Sequence, residues 1–142
     1  MAILSKDRIF LQGQAVNKAE AIRQAGQLLV TSGCVLPEYV EGMLAREQTM
    51  STSLGNGVAI PHGVYENRGH ILQTGISVLQ LRDGVEWDAG EKVYLVIGIA
   101  ASSDEHVGVL SNLAEVIDDE NNLAELLRTS DPEVIVKYLG VN

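Results

Sequence analysis

The nine residues from 93 to 101, VYLVIGIAA, form a near-continuous apolar run. A short run of this kind reads as a strand buried on both faces. Such a strand needs a covering layer on each side, which restricts the chain to a sheet sandwiched by helices. Behind it, Val107, Leu110, Ala114 and Ile117 repeat at helical spacing. The rest of the chain interleaves in the same way. Residues 8–11 read as a first strand. Asn17 and Glu20 form a capping box for a helix with Ile22, Ala25, Gly26, Leu29 and Val30 on one face, closed near Gly33. Pro37 opens a second helix to about Arg46. Residues 49–54 and 58–60 are expected to be extended, with Gly55, Asn56 and Gly57 as the turn between them. A longer strand is expected over 71–81, with Gly75 as a bulge, before Asp83 and Gly84 turn the chain toward 85–87. Helices are expected over 106–118 and 122–128, and from Asp131, Pro132 and Glu133 onward, the last packing through Val134, Ile135, Tyr138 and Leu139. The expectation is a single α/β domain, 1–142, with a mixed parallel and antiparallel sheet of about five strands and helices on both faces.

Two histidines fall just after apolar strands. Val58, Ala59 and Ile60 run into Pro61, His62 and Gly63. Pro61 fixes its own φ and biases Ile60 toward extended geometry, so the imidazole at His62 stands on a stiff mount. Gly63 is expected to leave room beside the ring for a bulky partner. His106 lies where the central strand gives way to a helix, and ligands in open α/β sheets sit outside the carboxyl ends of strands. Helix N-termini there offer N–H groups to an anion. A turn histidine can instead serve local hydrogen bonds, and a first-turn histidine can simply face solvent. The residues alone leave both readings open. His70, after Arg68 and Gly69, is expected at the surface. A zinc site of His62, His70 and His106 is chemically conceivable, but the spacing carries no metal signature, so no metal is expected.

The 46% apolar content excludes a disordered chain. No apolar run is long enough to span a bilayer, and the first residues lack a secretory pattern. Cys34 is the only cysteine, which excludes an internal disulfide, fits a reducing, cytoplasmic setting and suits a packing role. With 10 basic and 19 acidic residues the net charge is −9, which argues against nucleic acid or an anionic membrane as partner. It suits a basic protein partner, or plain solubility. A starting methionine and an end soon after the last helix read as a free-standing protein.

The segments LAREQTMST at 44–52 and LGNGVAIPHG at 54–63 resemble the enzyme IIA domain of the bacterial phosphoenolpyruvate:sugar phosphotransferase system, mannitol/fructose branch. LVIGIAA at 95–101 and DEHV at 104–107 are closer to its mannitol-like members. The resemblance runs from about Ile9 to Leu139. One departure is Asn56, where some mannitol-type relatives carry an acidic residue.

The resemblance implies a phosphotransferase component whose catalytic residues are His62, His106 and Arg46, working without a cofactor. His62 would take a phosphoryl group on Nε2 from the phosphohistidine of the carrier HPr. It would then pass the group to a cysteine of enzyme IIB for uptake of mannitol or a related sugar, with the membrane reached only through enzyme IIC. Histidine suits this chemistry because its pKa is near neutrality and its N–P bond is reactive. The other ring nitrogen needs an acceptor, which the sequence does not show. Arg46 suits a planar clamp on equatorial phosphoryl oxygens, although an arginine at a helix end can also be solvated. His106 would donate a hydrogen bond to the group. The alternative is a nitrogen-type regulatory IIA, acting as a phosphorylation-dependent binding module.

Overall fold

Alternate residues of the strand Glu91–Ala100 (β4) enter two separate cores. The computed structural model describes residues 3–101 and 103–140, so Ser102, at the expected strand-to-helix junction, lies outside the described residues. Val93, Val96 and Ala100 pack on one side of the sheet, and Leu95, Ile97 and Ile99 on the other. From Leu95 to Ala100 this follows from the two-residue period of side chains along a strand, while Val93, on the far side of the irregular register at Tyr94, breaks that alternation. Each such valine, leucine or isoleucine contributes roughly 1.5–3 kcal/mol when fully buried.

The sheet has four strands in the order β1-β3-β4-β2. Ile9–Gly13 (β1) lies parallel to Gly75–Asp88 (β3), which is antiparallel to β4, and Val58–Ala59 (β2) lies parallel to β4 at the far edge. On one face, helix Lys18–Thr31 (α1) contributes Ile22, Ala25 and Leu29, and Glu38–Thr49 (α2) contributes Tyr39 and Met43. On the other, Ser103–Ile117 (α3), Glu120–Arg128 (α4) and Pro132–Leu139 (α5) close over the sheet through Val109, Leu113, Leu126 and Ile135. The expected mixed sheet with helices on both faces is what forms. None of the described helices is long and apolar enough to cross a membrane.

Among the described residues the strand count is four, not about five. Asp83 and Gly84 do not turn the chain into a new strand, because β3 runs on from Gly75 to Asp88. Gln80 pairs with Leu95 and Val85 with Val93, so four residues of β3 face the single Tyr94 of β4. That irregularity absorbs the turn signal. Gly84 has φ +71°, and a Cβ there would stand 2.8 Å from the Tyr94 ring. Residues 49–54 supply only one isolated bridge, Ser53 with Ala59. Gly75 starts β3 in regular register and is not a bulge, and the segment opening at Ile71 is not yet strand.

Local signals set the helix ends. Asn17 Oδ1 accepts the Glu20 N–H at 2.8 Å, while the Glu20 carboxylate accepts from Val16 rather than from Asn17. α1 closes on Gly33 at φ +83°. Pro37 precedes α2, which runs three residues beyond Arg46 to Thr49. Asp119 and Asp131 cap α4 and α5 through side-chain oxygens. Cys34 is fully buried, with its sulfur against Gly75.

Candidate active site

His62 stands on an interrupted edge strand. Val58 pairs with Leu95 and Ala59 with Val96, and His62 bridges Ile99 in the same parallel register. Pro61 lacks an N–H, which an edge position tolerates, and its carbonyl accepts from Ile99 N at 3.0 Å. The His62 Nδ1 lies 2.7 Å from the Ile60 carbonyl. A carbonyl can only accept, so Nδ1 carries the proton and the lone pair is on Nε2. The acceptor that the sequence does not reveal is thus the main chain two residues back.

The Tyr39 hydroxyl ties this mount to the sheet. It donates to the Ile99 carbonyl at 2.7 Å and accepts the Gly63 N–H at 2.9 Å. Burial pushes the Tyr39 pKa up, so the phenol keeps the proton that it donates. Gly63 leaves room for these neighbours and not for a bulky outside partner. A Cβ there would lie 2.7 Å from Tyr39 and 2.9 Å from Asn67 Oδ1. Asn67 in turn accepts the Val64 N–H at 2.9 Å. Tyr39 escapes a reading of the sequence because it reaches this turn from 24 residues away, through packing rather than through a local motif.

His106, in the first turns of α3, meets His62 edge to face, with ring centroids 5.0 Å apart and planes at 61°. Arg46, in the last turn of α2, lines the same cleft of about 410 Å³. The three residues singled out from the sequence therefore stand together. Arg68, on the 3₁₀ turn Tyr65–His70, joins them in lining the cleft and was not anticipated. Among the described residues that line it there is no carboxylate. In a chain of net charge −9 that makes the cleft a local site for an anion.

Burial pushes the His62 pKa below its ordinary 6.5, and the positive fields of His106 and Arg46 act in the same direction. The Ile60 carbonyl and Glu47 oppose them. His106 is also lowered, by burial and then by Arg46. Both rings are therefore held neutral near pH 7, which leaves Nε2 of His62 free to act as a nucleophile.

His70 does not line this cleft. It ends the 3₁₀ turn half-buried, not at the open surface, and its carbonyl accepts the Leu36 N–H at 2.8 Å. Among the described residues no three His, Cys, Asp or Glu side chains gather as a metal site. Asn56 lies in the turn before β2 and does not line the cleft, so the departure from the mannitol pattern is not at this wall of the site.

A nucleophilic histidine, a second histidine and guanidinium groups around one cleft can hold and relay a phosphoryl group. Comparison with known proteins points the same way. The chain is 48% identical over 139 residues to a multiphosphoryl transfer protein of Xanthomonas campestris, covering 98% of this chain and 17% of that protein. It thus spans only a fraction of that relative's length. It is 39% identical over 143 residues to the mannitol-specific phosphotransferase enzyme IIA component of Bacillus subtilis, with full coverage of both. The fold superposes on the crystal structure of IIA mannitol from Escherichia coli with a TM-score of 0.89 at 40% identity, over 96% of this chain and 98% of that one. Residues 2–140 match the family model described as phosphoenolpyruvate-dependent sugar phosphotransferase system, EIIA 2, and the chain belongs to that family.

Proposed function

We propose that residues 1–142 act as one phosphoryl-carrier domain of the sugar phosphotransferase system, with His62 as carrier and His106 and Arg46 as its catalytic partners. The donor is the phosphohistidine of HPr and the acceptor a cysteine of enzyme IIB, serving uptake of mannitol or a related sugar. Enzyme IIC provides the only link to the membrane. The proposed setting is the cytoplasm, in keeping with a single buried free cysteine.

The observation that carries this reading is the bond from Nδ1 of His62 to the Ile60 carbonyl. With the proton fixed on Nδ1, the Nε2 lone pair forms the new N–P bond as the donor's N–P bond breaks. The broken bond's electron pair returns to the donor imidazole. On onward transfer the cysteine thiolate attacks phosphorus, and His62 leaves as a neutral imidazole with its Nδ1 proton still in place. Neither step requires a proton to move at His62. Charge on the equatorial oxygens of the in-line transition state is met by Arg46 and His106.

The reading is tested by loading the chain through enzyme I and HPr and adding enzyme IIB of the mannitol type. Transfer of the label to a cysteine of that protein supports the proposal. A loaded chain that gives its phosphoryl group to no enzyme IIB refutes the transport role.

A further inference from the structure

α2 ends on a buried carboxylate that the transfer itself does not touch. Glu47 is 6% exposed and directly follows Arg46. Its oxygens accept the Thr52 N–H at 2.9 Å, the Thr52 hydroxyl at 2.5 Å and the Trp87 indole N–H at 2.9 Å. The Lys18 ammonium stands 3.9 Å away. Burying a charge is expensive even when its bonds are satisfied, so stability alone is a weak reason for a carboxylate here.

The bonds of Glu47 help to set where the chain goes after the helix, together with the Ser51 hydroxyl, which donates to Asp88, and the Thr52 carbonyl, which accepts the Ile60 N–H. α2 stops at Thr49, and Met50 is already extended. Glu47 fastens Thr52 back onto the last turn, so the short segment between them has little freedom. Within that segment the Met50 carbonyl accepts from Arg46 Nη1 at 2.6 Å. Met50 is 69% exposed, so packing of its side chain does not hold this carbonyl in place. Glu47 does not line the cleft and so cannot compete there for the Arg46 guanidinium.

We propose that Glu47 is a positioning residue which, through Thr52 and the Met50 carbonyl, holds Arg46 where a phosphoryl group on His62 meets it. The proposal rests on the phosphoryl-carrier reading above. Trp87 is the only tryptophan in the chain and bonds Glu47 directly, so its fluorescence monitors the integrity of this network in every variant.

The test is a double-mutant cycle on single-turnover transfer from phosphorylated His62 to enzyme IIB. It uses Glu47→Gln, Thr52→Val and Arg46→Gln, alone and combined. Glu47→Gln and Thr52→Val should each slow transfer on the order of tenfold when Arg46 is present. Thr52→Val should change it by less than about twofold when Arg46 is glutamine, because its effect then has no route to the phosphoryl group. Glu47→Gln, by contrast, also removes a charge that acts on His62. Equal slowing by Thr52→Val in both backgrounds would overturn the proposal, since a general loss of structure does not depend on Arg46. If Glu47→Gln unfolds, Thr52→Val carries the test, because it leaves the carboxylate and its indole bond in place. A second readout needs no phosphoryl transfer. The Arg46 Nε–H resonance of the unphosphorylated protein should move in Thr52→Val, and an unmoved resonance contradicts the proposal. A wild-type chain that accepts no phosphoryl group refutes the carrier reading and leaves this resonance test intact.

Discussion

Nδ1 of His62 spends its proton on the Ile60 carbonyl, and much of the chemistry follows from that one bond. Protonating the ring places a proton on Nε2, the nitrogen that attacks in the proposed transfer. Burial holds the folded His62 and His106 below the ordinary 6.5, so both stay neutral as the pH falls to that value. The acid limb of the rate of phosphoryl acceptance should therefore have its midpoint below 6.5. A pH–rate profile whose acid limb has its midpoint above 6.5 would contradict this. The same shifts affect stability. The folded state binds fewer protons than the unfolded state in this range, so stability is fully present above 6.5 and is lost as the pH drops through the lower folded values. Urea unfolding across that window should show the loss, and His62→Gln should make it shallower. His106→Ala should still allow phosphorylation of His62 while raising the barrier to onward transfer by on the order of 3 kcal/mol. Unchanged transfer kinetics would remove His106 from the mechanism.

The elements place these side chains by strand register and close packing. β2 is an edge strand, so Pro61 interrupts its ladder without shifting the register that brings His62 opposite Ile99. Behind His62, Gly63 is pressed by Tyr39 and Asn67. Gly63→Ala should cost about 1–3 kcal/mol and reduce transfer, because the added methyl must displace the tyrosine that ties the turn to β4. Chemical denaturation measures the first effect and single-turnover transfer the second. The sequence makes part of this legible. The apolar run ending at Ala101 gave the central strand nearly to the residue, and Pro61 and His62 announced the mount. Arg46, His62 and His106 were legible through a family motif, since nothing local requires residues so far apart to converge. β3 was misread at Asp83 and Gly84, because a glycine with positive φ serves an irregularity facing Tyr94 as well as it serves a hairpin turn. Tyr39, Glu47 and Asn67 were missed for a different reason. The first two act through bonds spanning 60 and 40 residues, and Asn67 through close contact with two glycines. No periodicity or spacing records such contacts.

At the scale of the whole molecule, one sheet separates two cores and carries the cleft near its edge strand. Ile97 belongs to the core beneath α3–α5 and is fully buried. Ile97→Ala should destabilise the fold by roughly 2–5 kcal/mol, read from the denaturation midpoint, without altering the chemistry of the folded fraction. The net charge of −9 surrounds a cleft lined by arginines and histidines. In the proposed relay, a basic donor protein would be drawn toward the molecule by the overall field while its phosphoryl group is drawn into the cleft. The second-order rate of acceptance should thus fall on the order of tenfold from low to physiological salt, and a salt-independent rate would argue against steering. The most direct test of the central claim is the intact mass of the chain after incubation with phosphoenolpyruvate, enzyme I and HPr, compared for wild type and His62→Ala. The account predicts one acid-labile phosphoryl group on the wild type and none on the variant. A wild type that gains no mass, or a variant that gains as much, would contradict it.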